Sequence, residues 1–249
     1  MSGHNKWSTI KRKKGALDSK RSKIFSRITK EITVAVKEGG PDPEGNARLR
    51  LAINNAKGEN MPKDNIQRAI SKAEKDPNSF HEITFEGYGP GGIAIVLECL
   101  TDNNNRTISA VRSQFSKKGG TLGTNGSLDF MFVRKGIFTI QKDKINLDDV
   151  ELDLIDAGAQ NIELTEDSCI VATAMEDFGK MNRKMEMLKI EVENAALQRI
   201  PNDLKSIDKS TAIKLLRLVD EFEDNEDVQN VYHNLEVTDE VVAAMENND

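Results

Sequence analysis

The sequence predicts an α+β protein, with an N-terminal three-helix domain followed by two ferredoxin-like α/β domains, one inserted into the other. Three observations carry that expectation. As far as about residue 75, apolar residues recur at helical spacing and are interrupted by glycine and proline breaks. From residue 81 onward, short apolar and β-branched runs alternate with helical stretches. Within the second region, residues 136–197 read strand, helix, strand, strand, helix, strand, which is the split-βαβ order of a ferredoxin-like unit.

The first helix is expected over Asp18–Val36. At ~100° per residue, Ile24, Phe25, Ile28, Ile32, Ala35 and Val36 occupy about one third of its circumference, and Lys20, Lys23, Arg27, Lys30 and Lys37 lie nearly opposite. Gly39-Gly40-Pro41-Asp42-Pro43 ends it. A second helix over Glu44–Lys57 gathers Leu49, Ala52, Ile53 and Ala56 on one face, and Gly58–Pro62 breaks it. Pro62 suits the first turn of a third helix, whose Ile66, Ala69, Ile70 and Ala73 form a packing stripe. Asp76-Pro77-Asn78-Ser79 reads as the exit linker of this domain, residues 1–80.

Strands are expected at Ile83–Tyr88 and Ile93–Leu100, joined by the turn Gly89-Pro90-Gly91-Gly92. The polar run Thr101–Thr107 leads into a helix carrying Ile108, Val111 and Phe115 on one side. After Gly119-Gly120 and a loop with Gly123, Asn125 and Gly126, a strand is expected at Leu128–Val133, with Phe130 and Phe132 on one face. The βαββαβ unit fills residues 135–202. A helix at Ser210–Phe222 and a strand at Val228–Leu235 then complete the earlier sheet, making residues 81–134 and 203–238 one discontinuous domain. The acidic tail from Thr238 reads as a short helix or a frayed end.

Charge is divided unevenly along this chain. Residues 1–80 hold 18 Lys+Arg against 9 Asp+Glu, a net of +9, whereas residues 81–249 hold 17 against 32, a net of −15; the whole-chain value is −6. A cationic head on an anionic body points to a polyanionic partner for the head. Neutralising phosphates releases counterions, which gives affinity with little sequence information.

Other classes of function find less support. No apolar run approaches the ~20 residues needed to span a bilayer, and the basic N-terminus has no apolar stretch after it, so a cytoplasmic protein with no membrane partner is expected. Cys99 and Cys169 sit in apolar runs and read as buried thiols. His4, His81 and His233 are scattered, and no serine occupies a strand–turn–helix elbow, so neither an enzyme, a metal nor a cofactor is expected. Gly87-Tyr88-Gly89-Pro90-Gly91-Gly92 lacks the Gly-Lys-Ser/Thr ending of a phosphate loop and reads as a turn. At 5% aromatic content, base stacking on a sheet face is not expected either.

The candidate nucleic-acid contacts are therefore Lys6, Trp7, Lys11, Arg12, Lys13, Lys14, Lys20, Arg21, Lys23 and Arg27. A charged helix face is ordinarily a solvated one, but such faces mix signs, and Glu31 is nearly the only acid on this helix. Trp7 either stacks on a base or packs against the helical domain. Asn103, Asn105, Arg106 and Thr107, at a helix start, are a secondary set able to meet a phosphate or a partner backbone; capping the helix is the simpler role for this run. The acidic domains face away from the polyanion or contact a protein, which leaves a protein–protein adaptor as the contrasting reading.

Several motifs in order resemble the YebC family. They are Gly3-His4-Asn5-Lys6-Trp7, Ile10-Lys11, Asp18-Ser19-Lys20-Arg21 with Lys23-Ile24-Phe25, Asn46-Ala47-Arg48-Leu49-Arg50, and Asn60-Met61-Pro62-Lys63-Asp64-Asn65-Ile66. Glu86–Gly92, Thr101–Thr107 and Asp227-Val228-Gln229-Asn230-Val231-Tyr232 follow. Thr121, where the family often has Asn, and Gln160-Asn161, where Glu-Asp is usual, depart from the pattern. The resemblance covers nearly the whole chain. It implies three domains, one helical and two α/β, and a cytoplasmic regulator. Bacterial members are described as DNA-binding transcriptional regulators. Others act as translation factors at the ribosome and are implicated in relieving stalls on proline-rich stretches. Both roles need a polyphosphate-binding head, so the partner is DNA or ribosomal RNA. A monomer is expected.

Overall fold

A computed structural model describes residues 17–75 and 80–246 of the chain. Its elements in order are α1 (Leu17–Gly39), α2 (Ala47–Gly58), α3 (Lys63–Lys75), β1 (His81–Gly89), β2 (Ile93–Thr101), α4 (Asn104–Lys117), β3 (Thr121–Leu122) and β4 (Phe132–Gln141). There follow α5 (Leu147–Asp156), β5 (Ala159–Leu164), β6 (Ser168–Ala174), α6 (Phe178–Met187), β7 (Val192–Pro201), α7 (Lys209–Asp224), β8 (Val228–His233) and α8 (Asp239–Glu246). These form an α+β fold with N-terminal helices and two four-stranded antiparallel sheets, in the orders β3-β1-β2-β8 and β5-β6-β4-β7. The chain divides into two compact units, one using residues up to Arg27, Asn78–Val133 and Ile200 onward, the other Ile28–Pro77 and Arg134–Arg199.

In the first unit, β1 and β2 pair in register from His81↔Thr101 to Gly89↔Ile93. The turn that joins them contains Gly91 at φ 72° and Gly92 at φ 66°, a left-handed backbone that glycine adopts without strain. Central strand β2 is buried on both faces. Ile93, Ile95, Leu97 and Cys99 pack with Val111 and Phe115 of α4 and with Leu215, Leu216, Leu218, Val219 and Phe222 of α7. Ala94 and Val96, on the other face, pack with Leu128, Phe132 and Tyr232. The rings of Phe115 and Phe222 meet at 4.8 Å between centroids, which closes the helix pair over the sheet.

In the second unit, the order β5-β6-β4-β7 is the ferredoxin-like arrangement that the βαββαβ sequence predicts. Phe138, Ile140, Leu154, Cys169, Val171, Met181 and Met185 make its core. Helix α2 belongs to the same unit and is tied to edge strand β7. The Asn55 side chain donates Nδ2–H to the Ala195 carbonyl at 2.9 Å and accepts the Ala195 N–H at 2.9 Å, pairing with the strand as another strand would. Gly58 lies so close that a Cβ there would stand 1.8 Å from the Glu193 carbonyl oxygen. The turn into α2 is set by Asn46, whose Oδ1 accepts from Leu49 N–H while its Nδ2 donates to the carbonyls of Ala35 and Gly40.

One expected element is different. Leu128–Val133 is not a strand: Asp129–Met131 is a single 3-10 turn, and β4 begins only at Phe132. Phe130 and Phe132 do not share a face, since Phe130 is 75% exposed and Phe132 7%. The cause is a buried carboxylate on β1. Glu86 accepts the backbone N–H of Gly126 at 2.9 Å and of Leu128 at 2.6 Å, and Gly126 takes φ 85°. These bonds curl the loop before it can extend. Cys99 and Cys169 are both buried thiols, and burial pushes the Cys169 thiol above its ordinary pKa.

Candidate nucleic-acid interface

Among the expected contacts, Lys6, Trp7, Lys11, Arg12, Lys13 and Lys14 lie outside the described residues, as does the side chain of Lys20. The remaining three sit on α1, with different surroundings. Arg21 is exposed and lies over the Phe25 ring, 5.3 Å from its centroid. Lys23 forms an ion pair with Asp224. Arg27 donates Nη2–H to the Glu223 carbonyl at 2.7 Å. Desolvation pulls the Arg27 guanidinium below its ordinary pKa, against the attraction of Glu223 and Asp224.

Both partners are the last residues of α7. A helix C-terminus carries partial negative charge on its unpaired carbonyls, and here a carboxylate adds to it. Two of the cations that sequence reasoning placed on a nucleic-acid face therefore also join α1 to α7. Farther along α1, Glu31 and Glu38 both bind Arg48 of α2, at 2.8 and 2.7 Å, so these two acids are matched within the second unit.

The secondary set forms a connected network at the start of α4. Asn103 is the N-cap, its Oδ1 accepting from Arg106 N–H at 3.0 Å. The Arg106 guanidinium spans Asp102 at 2.8 Å and Asp227 at 2.9 Å, and its pKa is raised by the bond to Asp227 first and Asp102 second. Thr107 is fully buried and places its hydroxyl 2.8 Å from Asp227 Oδ2 and 2.8 Å from Thr101 Oγ1. Leu100 N–H donates to the Asp227 carbonyl at 2.9 Å, joining β2 to the turn between α7 and β8. Asn105 is exposed, and its carbonyl accepts from the Ser109 hydroxyl at 2.8 Å. Sequence reasoning identified the cap but not Asp227, which lies 121 residues from Arg106 and carries no local signal.

In the GYGPGG stretch, Gly87-Tyr88-Gly89 close strand β1 and Pro90–Gly92 form a 3-10 turn leading directly into β2. Among the described residues, no group of three or more His, Cys, Asp or Glu side chains could hold a metal ion. No described helix is long and apolar enough to cross a membrane.

The fold and its charge pattern define a class: an α+β protein whose N-terminal helices belong to a cationic stretch of sequence and whose two four-stranded sheets lie in an acid-rich remainder. Family models for the TACO1/YebC N-terminal domain and for the TACO1/YebC second and third domains match residues 5–76 and 80–235, and the chain belongs to that family. A protein named "Probable transcriptional regulatory protein" from Chlorobaculum parvum is 46% identical over 249 residues, covering 99% of each chain. One of the same name from Syntrophus aciditrophicus is 46% identical over 245 residues, covering 97% of this chain and 98% of the relative. Among solved structures, a conserved hypothetical protein from Aquifex aeolicus superposes with a TM-score of 0.81 at 37% identity, over 90% of this chain and 93% of that one.

Proposed function

We propose that this protein is a non-enzymatic, cytoplasmic, monomeric regulator of gene expression that holds nucleic acid through its basic N-terminal segment. One observation carries the reading: the net charge is +9 over residues 1–80 and −15 over the rest. The relatives' name, transcriptional regulatory protein, agrees with it. Lys6, Lys11, Arg12, Lys13, Lys14, Lys20 and Arg21 are the phosphate neutralisers in this reading, while Lys23 and Arg27 serve chiefly to hold α1 against α7. Three domains are proposed with it, namely residues 1–80, residues 81–134 with 203–238, and residues 135–202. Pairing of β8 with β2 supports the discontinuous middle domain.

Ribosomal RNA is the second reading, with the protein acting as a translation factor at the ribosome. The dense Lys11-Arg12-Lys13-Lys14 run favours neither polymer, because phosphate contacts carry no sequence information. Crosslinking in cells, followed by sequencing of the bound nucleic acid, separates the two: promoter fragments support transcription, and ribosomal RNA supports translation. The common premise is tested by changing Lys11, Arg12, Lys13 and Lys14 to Gln. Retention of DNA and RNA at low ionic strength should fall steeply. In the unaltered protein, six to ten phosphate contacts would lower affinity by about 10³–10⁵ between 50 and 200 mM salt. Unchanged retention in the variant would overturn the reading.

A further inference from the structure

The chain holds one Asn-Gly pair, Asn125-Gly126, and both residues are exposed in the loop that precedes β4. An asparagine before glycine is the pairing most open to attack by its own backbone, because the glycine nitrogen carries no Cβ beside it to hinder approach to the side-chain carboxamide. Here the backbone of the pair is fixed from outside. Gly126 takes φ 85°, and Ser127 N–H donates to the Thr124 carbonyl at 3.2 Å, so residues 124–127 form a tight turn with the glycine in third place. Gly126 N–H donates to Glu86 Oε1 at 2.9 Å, and the other oxygen of that carboxylate takes Leu128 N–H at 2.6 Å. Glu86 is 1% exposed, so water competes poorly for these bonds.

The bond to Glu86 opposes the reaction this pair favours. Cyclisation needs the Gly126 nitrogen to lose its proton and turn against Cγ of Asn125. A new N–C bond then closes a five-membered succinimide, and the side-chain nitrogen leaves as ammonia with the proton that Gly126 gave up. Water opens the ring at either carbonyl, leaving aspartate or, with the main chain rerouted through the side chain, isoaspartate. Nothing is oxidised or reduced, and water is the only co-reactant. A carboxylate at 2.9 Å holds the N–H in place, and its negative charge disfavours the amide anion that the attack requires. Asn125 is therefore open to water yet blocked through its neighbour.

We infer that Asn125 is a site of spontaneous deamidation through a succinimide, and that Glu86 sets its rate by holding Gly126 N–H. The reaction runs from those molecules in which the Glu86 bond has opened. Its product then undoes the restraint. Isoaspartate lengthens the main chain by a methylene ahead of Gly126, so Gly126 and Leu128 no longer both meet the carboxylate. Leu128 is fully buried with Ala94, Val96, Phe132 and Tyr232, so the loop loses its hold on that core in every such molecule. None of this depends on what the basic N-terminal segment binds.

The test ages the full chain at mildly alkaline pH, digests it, and measures by mass spectrometry the aspartate and isoaspartate formed at residue 125. Conversion in denaturant should outpace that in the native protein by about tenfold or more, the factor a charge-assisted hydrogen bond supplies. Glu86→Gln, which keeps the shape and removes the charge, should raise the native rate several-fold while the amides of β2 stay protected from hydrogen exchange. A second measurement needs no variant: small additions of denaturant should raise Gly126 amide exchange and Asn125 conversion in the same proportion. Molecules carrying isoaspartate should lose protection at Leu128 N–H and keep it in β2. The inference is overturned by equal rates in native and denatured protein, by conversion that does not follow Gly126 exchange, by a folded Glu86→Gln variant with an unchanged rate, or by aspartate formed without isoaspartate.

Discussion

Arg27 of α1 donates to the Glu223 carbonyl at 2.7 Å, 196 residues away in sequence, and Lys23 one turn earlier pairs with the neighbouring Asp224. The two contacts differ in worth. Lys23 and Asp224 are both substantially exposed, so their ion pair contributes about 0–1 kcal/mol and is weakened by salt. The Arg27 bond is partly buried and charge-assisted, and a bond of that kind is worth about 1.5–3 kcal/mol. Arg27→Met is therefore expected to lower stability by about 2 kcal/mol, and Lys23→Ala by less than 1 kcal/mol, in denaturant titrations. If instead Arg27→Met leaves stability unchanged and weakens nucleic-acid retention as much as loss of a head lysine does, Arg27 belongs to the binding face.

The same pair shows where sequence reasoning stops. Periodicity located α1 because apolar residues and glycine breaks are local signals, and it located the cationic stripe for the same reason. It could not tell a lysine awaiting phosphate from one facing Asp224, since the partner is fixed only by the fold. The Leu128–Val133 segment failed in the same way. Leu128, Phe130 and Phe132 alternate as a strand should, but Glu86, some 40 residues upstream, holds the backbone in a turn. Asp102 is an i,i+4 partner of Arg106 and was readable; Asp227 was not. The βαββαβ order, by contrast, was legible because turn residues separate most of its elements, although its first strand, expected over Gly136–Ile140, already begins at Phe132.

Asp227 is the junction of the network at the start of α4, buried and bonded by Arg106, with the Thr107 hydroxyl 2.8 Å away. Asp227→Ala would leave these groups without their shared acceptor, at a cost of about 2–3 kcal/mol. Asp227→Asn should recover part of that loss, because the amide oxygen still accepts a hydrogen bond. Hydrogen exchange supplies the check: Leu100 donates to the Asp227 backbone, so its amide should lose protection in Asp227→Ala more than amides of β6. Equal loss in both would mean global unfolding rather than local release.

Asp208 gives the fold a sensitivity to acid. It caps α7, accepting from Thr211 N–H at 3.0 Å and from the Ser210 hydroxyl at 2.8 Å. These bonds, led by those from Thr211 and then Ser210, lower its carboxyl to about 2. A folded-state value below the unfolded one means the carboxylate favours folding above about pH 4, and that this contribution disappears as the pH falls toward 2. Asp208→Asn can still cap the helix but cannot titrate. The stability difference between the unaltered protein and Asp208→Asn, followed by thermal melts, should therefore shrink steadily from pH 5 to pH 2. A difference constant over that range would show that the cap acts without its charge.

The attachment of α2 to β7 rests on Asn55 and Gly58, and the two test it differently. Asn55→Ala removes a donor and an acceptor at once, leaving the Ala195 N–H and carbonyl without a pairing group on that strand edge; each such loss costs about 1–3 kcal/mol if water does not replace it. Asn55→Leu fills the space without restoring either bond and should be no better. Gly58→Ala asks about distance rather than bonding: its methyl would stand 1.8 Å from the Glu193 carbonyl, so helix and strand must separate. Gly58→Ala normally favours a helix through the lower entropy of the unfolded chain, by about 0.4–1 kcal/mol. Here the sign should reverse to net destabilisation of about 1–3 kcal/mol, as overpacking a close contact does. Combining Asn55→Ala with Gly58→Ala should cost less than the sum of the two, because both break the same contact. Additive losses would mean that α2 and β7 are held together elsewhere.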